Sequence, residues 1–170
     1  MSKTRIQEIS DAAWELLAEE GVEALTMRAI AARLEVSAPS LYKHVTNRDE
    51  IVALVQARAL IEGADALRRA MKRHPAAPHL PAALAYRRWA IRNPAQYRIT
   101  NDQPLLRDLL PEGLEDECAV PVMELAGWDP DRSRVQWATA HGLISLEIAG
   151  RFPSYADVDA AWTMAFGPKS

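Results

Sequence analysis

The chain has 170 residues, 49% of them apolar, and a formal net charge of -3. That much apolar material excludes a disordered chain and supports a real core, either one compact domain or a small domain joined to a larger one. A single cysteine, Cys118, excludes an internal disulfide, and no run reaches the ~18 apolar residues of a membrane span. The charged, amphipathic N-terminal segment has no apolar leader core, so a cytoplasmic protein is expected.

Seven glycines and few Val-Thr-Tyr runs point to helices rather than sheet. Ile6, Ile9, Ala13, Leu16 and Leu17 keep a helical period, predicting a first helix over residues 3–20 that Gly21 ends. Thr26 is an N-cap for a short helix over 27–34, where Met27, Ile30, Ala31 and Leu34 repeat. "EVS" is a turn, and Ser37 caps a third helix to about His44, with Pro39 tolerated in its first turn. Asn47 caps a fourth, with Glu50 in capping-box position, and its apolar stripe continues to Met71. That is roughly 38 Å of helix, longer than a three-helix unit needs, so it is expected to serve two domains.

"HPAAPHLP" is the clearest break. Beyond it the pattern predicts helices over 82–92, ended by Pro94, weakly over 103–110, and over 113–126. Asp129-Pro130 restarts a helix to about Ala149. Ser154 opens the last one, with Asp157 at the box position.

The charge total argues against nucleic-acid binding, because residues 1–50 hold six Lys/Arg against nine Asp/Glu. The distribution argues otherwise. Between Thr26 and Arg48 stand four bases, Arg28, Arg33, Lys43 and Arg48, and one acid, Glu35. Two short helices joined by a tight turn and braced by a preceding helix describe a helix-turn-helix. Rotating the third helix by 100° per residue puts Ala38, Leu41 and Val45 toward the bundle and Pro39, Ser40 and Lys43 away from it, with Tyr42 and His44 on the flanks. Such a face suits the DNA major groove, where base edges accept hydrogen bonds from Lys and Ser and the flanks reach sugar-phosphate. A plain trihelical bundle with a solvated face would share the periodicity.

"LTMRAIAARLEVSAPSLYKHVTNRDEIVALV" resembles the N-terminal domain of TetR-type repressors. The matching features are Thr-x-Arg, Ile-Ala-x-x-Leu, Val-Ser at the turn, Leu-Tyr-x-His, and Asn-Arg-Asp-Glu before an aliphatic. Val45 departs from the pattern, which often has Phe there; the smaller side chain is expected to loosen packing under the recognition helix. The resemblance implies phosphate contacts from Thr26, Arg28, Tyr42, Lys43, His44 and Arg48, and base contacts from Ser37, Ala38, Pro39 and Ser40. "YRRWAIRNPAQYRI" and "WATAHGLISLEIAGRF" are similar to the TetR-type subgroup with a Trp-His-Gly (WHG) signature, here Trp137, His141 and Gly142. This implies a bacterial, dimeric regulator with a C-terminal ligand-binding domain.

The expected fold is all-α: a helix-turn-helix DNA-binding domain over 1–46, a connecting helix over 47–73 shared by both domains, and a helical ligand-binding and dimerisation domain over 74–170. The 130–149 helix is apolar around most of its circumference, which predicts burial on more than one side. One face would pack on its own domain and another, with the last helix, on a second copy, through Val135, Ile144, Ile148, Trp162 and Phe166. Trp137 and His141 share a face, and Trp89, Tyr97, Met123 and Trp128 could join them around a pocket for a small hydrophobic or aromatic effector. The alternative is that these are core side chains, with His141 bonded to a neighbour.

The expected function is repression by a homodimer on a pseudo-palindromic operator, relieved by that effector. No catalytic residues, metal ligands or cofactor are expected: the four histidines show no metal spacing, and no phosphate-binding Gly loop or GxSxG is present. A rival class is a protein-interaction adaptor that uses the same helices without DNA.

Overall fold

The computed structural model describes residues 4–168, which form helices and no strand. They divide into two compact units, residues 4–60 with 93–115, and residues 61–92 with 116–168.

The first unit is built on α1 (Arg5–Glu20), α2 (Met27–Arg33), α3 (Ala38–Leu41) and the first half of α4 (Arg48–Arg73). Thr4 caps α1 through a full capping box with Gln7; residue 3, where the pattern began the helix, lies outside the described residues. Gly21 ends α1 at φ 85, a left-handed backbone that L side chains rarely adopt. Thr26 caps α2, its Oγ1 accepting from the Ala29 N–H at 3.1 Å. Ile9, Ala13, Leu16 and Leu17 of α1 meet Leu25, Ile30, Leu41, Val45, Ile51 and Val55 in one core. Val45 is buried there, so the smaller side chain still serves as an anchor.

Three local expectations change. Helix α3 stops at Leu41, and a turn carries the chain to His44, with Val45 N–H bonded to Leu41 O at 3.0 Å. Ser37 occupies the N-cap position without a side-chain hydrogen bond. Asn47 Oδ1 does cap α4 by accepting from Glu50 N–H at 3.0 Å, but the Glu50 carboxylate accepts from Thr46 N–H and not from Asn47 N–H.

The same unit contains a helix the pattern missed, α6 (Pro94–Asn101). Pro94 both ends the preceding helix and opens this one, since a first-turn residue needs no N–H. Two buried glutamines hold the segment. Gln96 Nε2 donates to Trp14 O at 2.9 Å. Gln56 of α4 donates to Ile99 O (2.9 Å) and Pro104 O (3.1 Å) and accepts from Leu106 N–H (3.0 Å). Its polar atoms are thus matched to backbone groups that have no helical partner, which is what makes a fully buried amide tolerable. After α6 the expected 103–110 helix reduces to one 3-10 turn, Arg107–Leu109.

The second unit comprises the rest of α4, α5 (His79–Arg92), α7 (Leu114–Leu125) from residue 116 on, α8 (Pro130–Ile148) and α9 (Val158–Phe166). Helix α5 starts three residues earlier than predicted, because Pro81 falls in its first turn and does not break it. Ala64, Ala66, Ala70, Ala82, Ala83 and Ala90 are buried, small side chains that let helices approach closely. Gly63 lies under the Tyr86 ring; a Cβ there would sit 2.9 Å from Cε2. Helix α5 packs on both α8 and α9. Arg87 joins all three: its Nε and Nη2 fork onto Glu147 at 2.8–3.0 Å, its Nη1 reaches Asp159, and Trp162 Nε1 donates to Glu147 at 3.1 Å. Asp157, not Ser154, caps α9, accepting from Ala160 N–H at 2.9 Å.

Pro121 sits inside α7 and cannot donate to the Glu117 carbonyl one turn back. Arg68 Nη2 donates to that carbonyl instead, at 2.6 Å.

Candidate nucleic-acid interface

The predicted DNA-contact residues lie along α2, the turn, α3 and the start of α4, and most of them are exposed. The turn closes at Glu35, φ 54, with Val36 N–H bonded to Ala31 O at 3.0 Å. Leu41 and Val45 anchor the third helix and its following turn from beneath. Above them Ser37, Pro39, Tyr42, Lys43 and His44 are exposed, Tyr42 to 55%, while Ala38 and Ser40 are half-buried at the flank. Thr26, Arg28 and Arg48 are exposed as well.

The four bases of this region are not equivalent. Arg33 is spent on α1, its Nη2 2.6–2.7 Å from both oxygens of Glu19. Arg48 turns its Nε and Nη2 to the carbonyls of Leu25 and Val22, both at 2.9 Å. Arg28 and Lys43 remain as exposed cations. Distance and screening then decide the electrostatics: cations at contact range of a phosphate outweigh acids more than ~10 Å away in salt.

Glu50 fixes the junction behind the recognition segment. Its carboxylate accepts from the Thr46 hydroxyl and from Thr46 N–H, the latter at 2.8 Å. The hydroxyl, then the backbone N–H, hold this carboxyl below the usual glutamate range. A depressed pKa adds stability that is present above the ordinary value and is lost as pH falls through the depressed one. The wild-type chain should therefore lose stability on acidification below about pH 4.5, and Glu50→Gln should flatten part of that loss. Melting temperatures from roughly pH 3 to 6 check this; parallel curves for the two proteins would contradict it.

The residues predicted to line a pocket are divided between the two units. Tyr97 is fully buried in the first unit, whereas Trp89, Met123, Trp128, Trp137 and His141 belong to the second. Trp89 donates its Nε1 to Glu62 at 3.2 Å and stacks on Tyr86, centroids 5.6 Å apart. Trp137 and His141 stack at 5.6 Å with rings 11° from parallel, and His141 Nε2 lies 3.5 Å from Ser145 Oγ. Met123 is half-buried; Trp128 is 61% exposed in left-handed backbone, φ 63. Sequence reasoning missed Tyr86, which stands three residues before Trp89 on α5, and Glu62, whose approach to Trp89 is visible only once α4 and α5 meet.

The dimer residues divide too. Val135 is 65% exposed, Ile148 and Phe166 are half-buried, and Ile144 and Trp162 are fully buried. The last two are covered within the single chain, Trp162 against Phe166, Glu147 and Arg87. No group of three or more metal-capable side chains occurs among the described residues. Burial pushes the Cys118 thiol up, with Arg68 opposing, which disfavours the reactive thiolate.

A buried-anchor helix-turn-helix ahead of a second helical unit defines a helix-turn-helix regulator. Residues 9–55 match the profile of the bacterial regulatory proteins of the tetR family, and residues 80–166 match the tetracyclin repressor-like C-terminal domain, of WHG type. The uncharacterized HTH-type transcriptional regulator Rv0681 of Mycobacterium tuberculosis is 29% identical over 95% of this chain and 78% of its own. The HTH-type transcriptional regulator Mb1846 of Mycobacterium bovis is 31% identical, over 52% of this chain and 40% of its own. Among solved structures, the regulatory protein SCO4313 matches with TM-score 0.75 and 26% identity, over 94% of this chain and 92% of that one. The multidrug binding protein EbrR, complexed with imidazole, matches at 0.66 and 20%, over 99% and 98%. The chain belongs to the tetR family: it is a DNA-binding transcriptional regulator and not an enzyme.

Proposed function

We propose that the chain is a cytoplasmic repressor that binds a pseudo-palindromic operator as a homodimer and is released by a small hydrophobic or aromatic effector. The observation that carries the DNA part is the exposed row Ser37, Pro39, Tyr42, Lys43 and His44 over the buried anchors Leu41 and Val45. Lys43, with Tyr42, His44, Thr26 and Arg28, serves phosphates; Ser37, Ala38, Pro39 and Ser40 meet base edges. The domain roles are a DNA-binding segment over 1–46, a transmitting helix over 47–73 and an effector and dimer segment over 74–170.

Pairing is supported by apolar side chains left in water on α8 and α9: Val135, Trp137, Leu146 and Met164, the last 90% exposed. Val135 and Leu146, eleven residues apart on α8, share one helical face, and an exposed apolar face of this kind marks an interface more often than a solvated one. Two copies related by a two-fold axis would read half-sites ~34 Å apart or somewhat more. The effector would engage the half-buried Tyr86–Trp89 pair of the second unit, with the more exposed Trp137–His141 pair, and a 100-fold preference for one state supplies ~2.7 kcal/mol of coupling. No helix among the described residues is long and apolar enough to cross a membrane.

Selection of bound duplexes from a random pool is the direct test. An inverted repeat supports the whole reading; a single half-site defeats the dimer, and no enrichment defeats the DNA interface. Equal affinity for the selected duplex across a panel of aromatic compounds at saturation would overturn effector control.

A further inference from the structure

Whereas Arg33 turns its guanidinium onto a carboxylate, Arg48 turns its own onto the protein backbone. Its two bonds go to backbone 23 and 26 residues upstream, at Leu25 and Val22. Those carbonyls belong to the 3-10 turn Val22–Ala24 and the residue that ends it. Leu25 is fully buried, and the next residue is Thr26. Thr26 N–H closes back on Ala24 O at 2.7 Å while its hydroxyl caps α2. Arg48 itself stands in the first turn of α4, between the Asn47 cap and Glu50, directly after the recognition segment. One planar fork therefore spans from the exit of α3 to the entrance of α2. Lysine has the charge but not the fork, so it cannot hold two carbonyls at once in this way.

We propose that Arg48 is a positioning residue for the DNA interface, fixing the Thr26–Arg28 segment relative to the α3–α4 junction, and not a phosphate contact in its own right. The role rests on the reading that α2 and α3 meet DNA. The family resemblance implied a phosphate contact at this position, and the two roles forecast opposite behaviour for a charge-conserving change. A phosphate contact tolerates lysine; a two-carbonyl tie does not.

The test uses the full chain, with Arg48→Lys, Thr26→Ala and the double variant, against the duplex selected above. Arg48→Lys is expected to weaken binding about tenfold, the scale of one charge-assisted contact, despite the kept charge. In the Thr26→Ala background the same change should cost much less, because both act through one segment. In the free protein, hydrogen exchange at the Ala29 amide should accelerate at least severalfold in Arg48→Lys, while Leu17 in the α1 core is unchanged. Near-wild-type affinity of Arg48→Lys, or strictly additive losses, overturns the role, as does unaltered exchange at Ala29. If the wild type bound no duplex, the interface reading would fall and this role with it; binding with unaltered exchange removes the role alone.

Discussion

Trp162→Ala is expected to destabilise the second unit by roughly 3–5 kcal/mol, the cost of emptying a buried tryptophan site. Trp162 is fully buried, stacks on Phe166 at 5.4 Å, and offers its ring face to the Arg87 guanidinium 5.5 Å away. Its Nε1 also satisfies one Glu147 oxygen. Truncation leaves a void, removes a donor from a half-buried carboxylate, and withdraws the surface on which Arg87 lies. Helix α9 has nine residues, too few to persist in water without tertiary packing, so its loss should follow. Met164→Ala on the same helix is the control, with an expected change within ~0.5 kcal/mol because Met164 is almost wholly exposed. Urea unfolding of the three proteins checks this. A shift below ~1 kcal/mol for Trp162→Ala would mean that the site collapses and that α9 is held by other contacts.

Lys43→Ala should weaken binding to the selected duplex about 10- to 150-fold, from the ~1.5–3 kcal/mol of a hydrogen bond to a charged group. The slope of log affinity against log salt should fall by about 0.9, one phosphate's worth of released counterions. Lys43 is exposed and Leu41 carries the packing beneath it, so thermal stability should stay within ~0.5 kcal/mol of wild type. Tyr42→Phe separates ring from hydroxyl: a loss there without a slope change indicates a neutral hydrogen bond to the backbone of DNA. An unchanged slope for Lys43→Ala would place the lysine off the phosphates and remove the central cation of the proposed interface.

Many helix ends were legible because their signals are local. Thr26, Asn47, Asp129 and the glycine after α1 are each read from one or two neighbours, and the structure uses them as caps or stops. Pro94 defeated the same logic, since a proline that ends one helix is indistinguishable in sequence from one that begins the next. Gln56 and Gln96 gave no signal either: their partners lie dozens of residues away, and only the fold creates the demand they meet. Periodicity showed Ile144 and Trp162 to be apolar but not which neighbour covers them. Periodicity turned Leu41 and Val45 inward and Pro39 and Lys43 outward, as their burial and exposure have it; the inward turn of Arg48 was not legible, because a guanidinium on two carbonyls and one on two phosphates have the same sequence.

The proline within α7 carries a consequence beyond its own helix. An imino acid at position 121 leaves the carbonyl of the exposed Glu117 without its in-helix donor, and Arg68 meets it. The two positions are thereby coupled through one hydrogen bond: an ordinary amide at 121 would relieve Arg68 of that acceptor and leave it its ion pair with Asp65, whereas loss of Arg68 alone would hand the carbonyl to solvent.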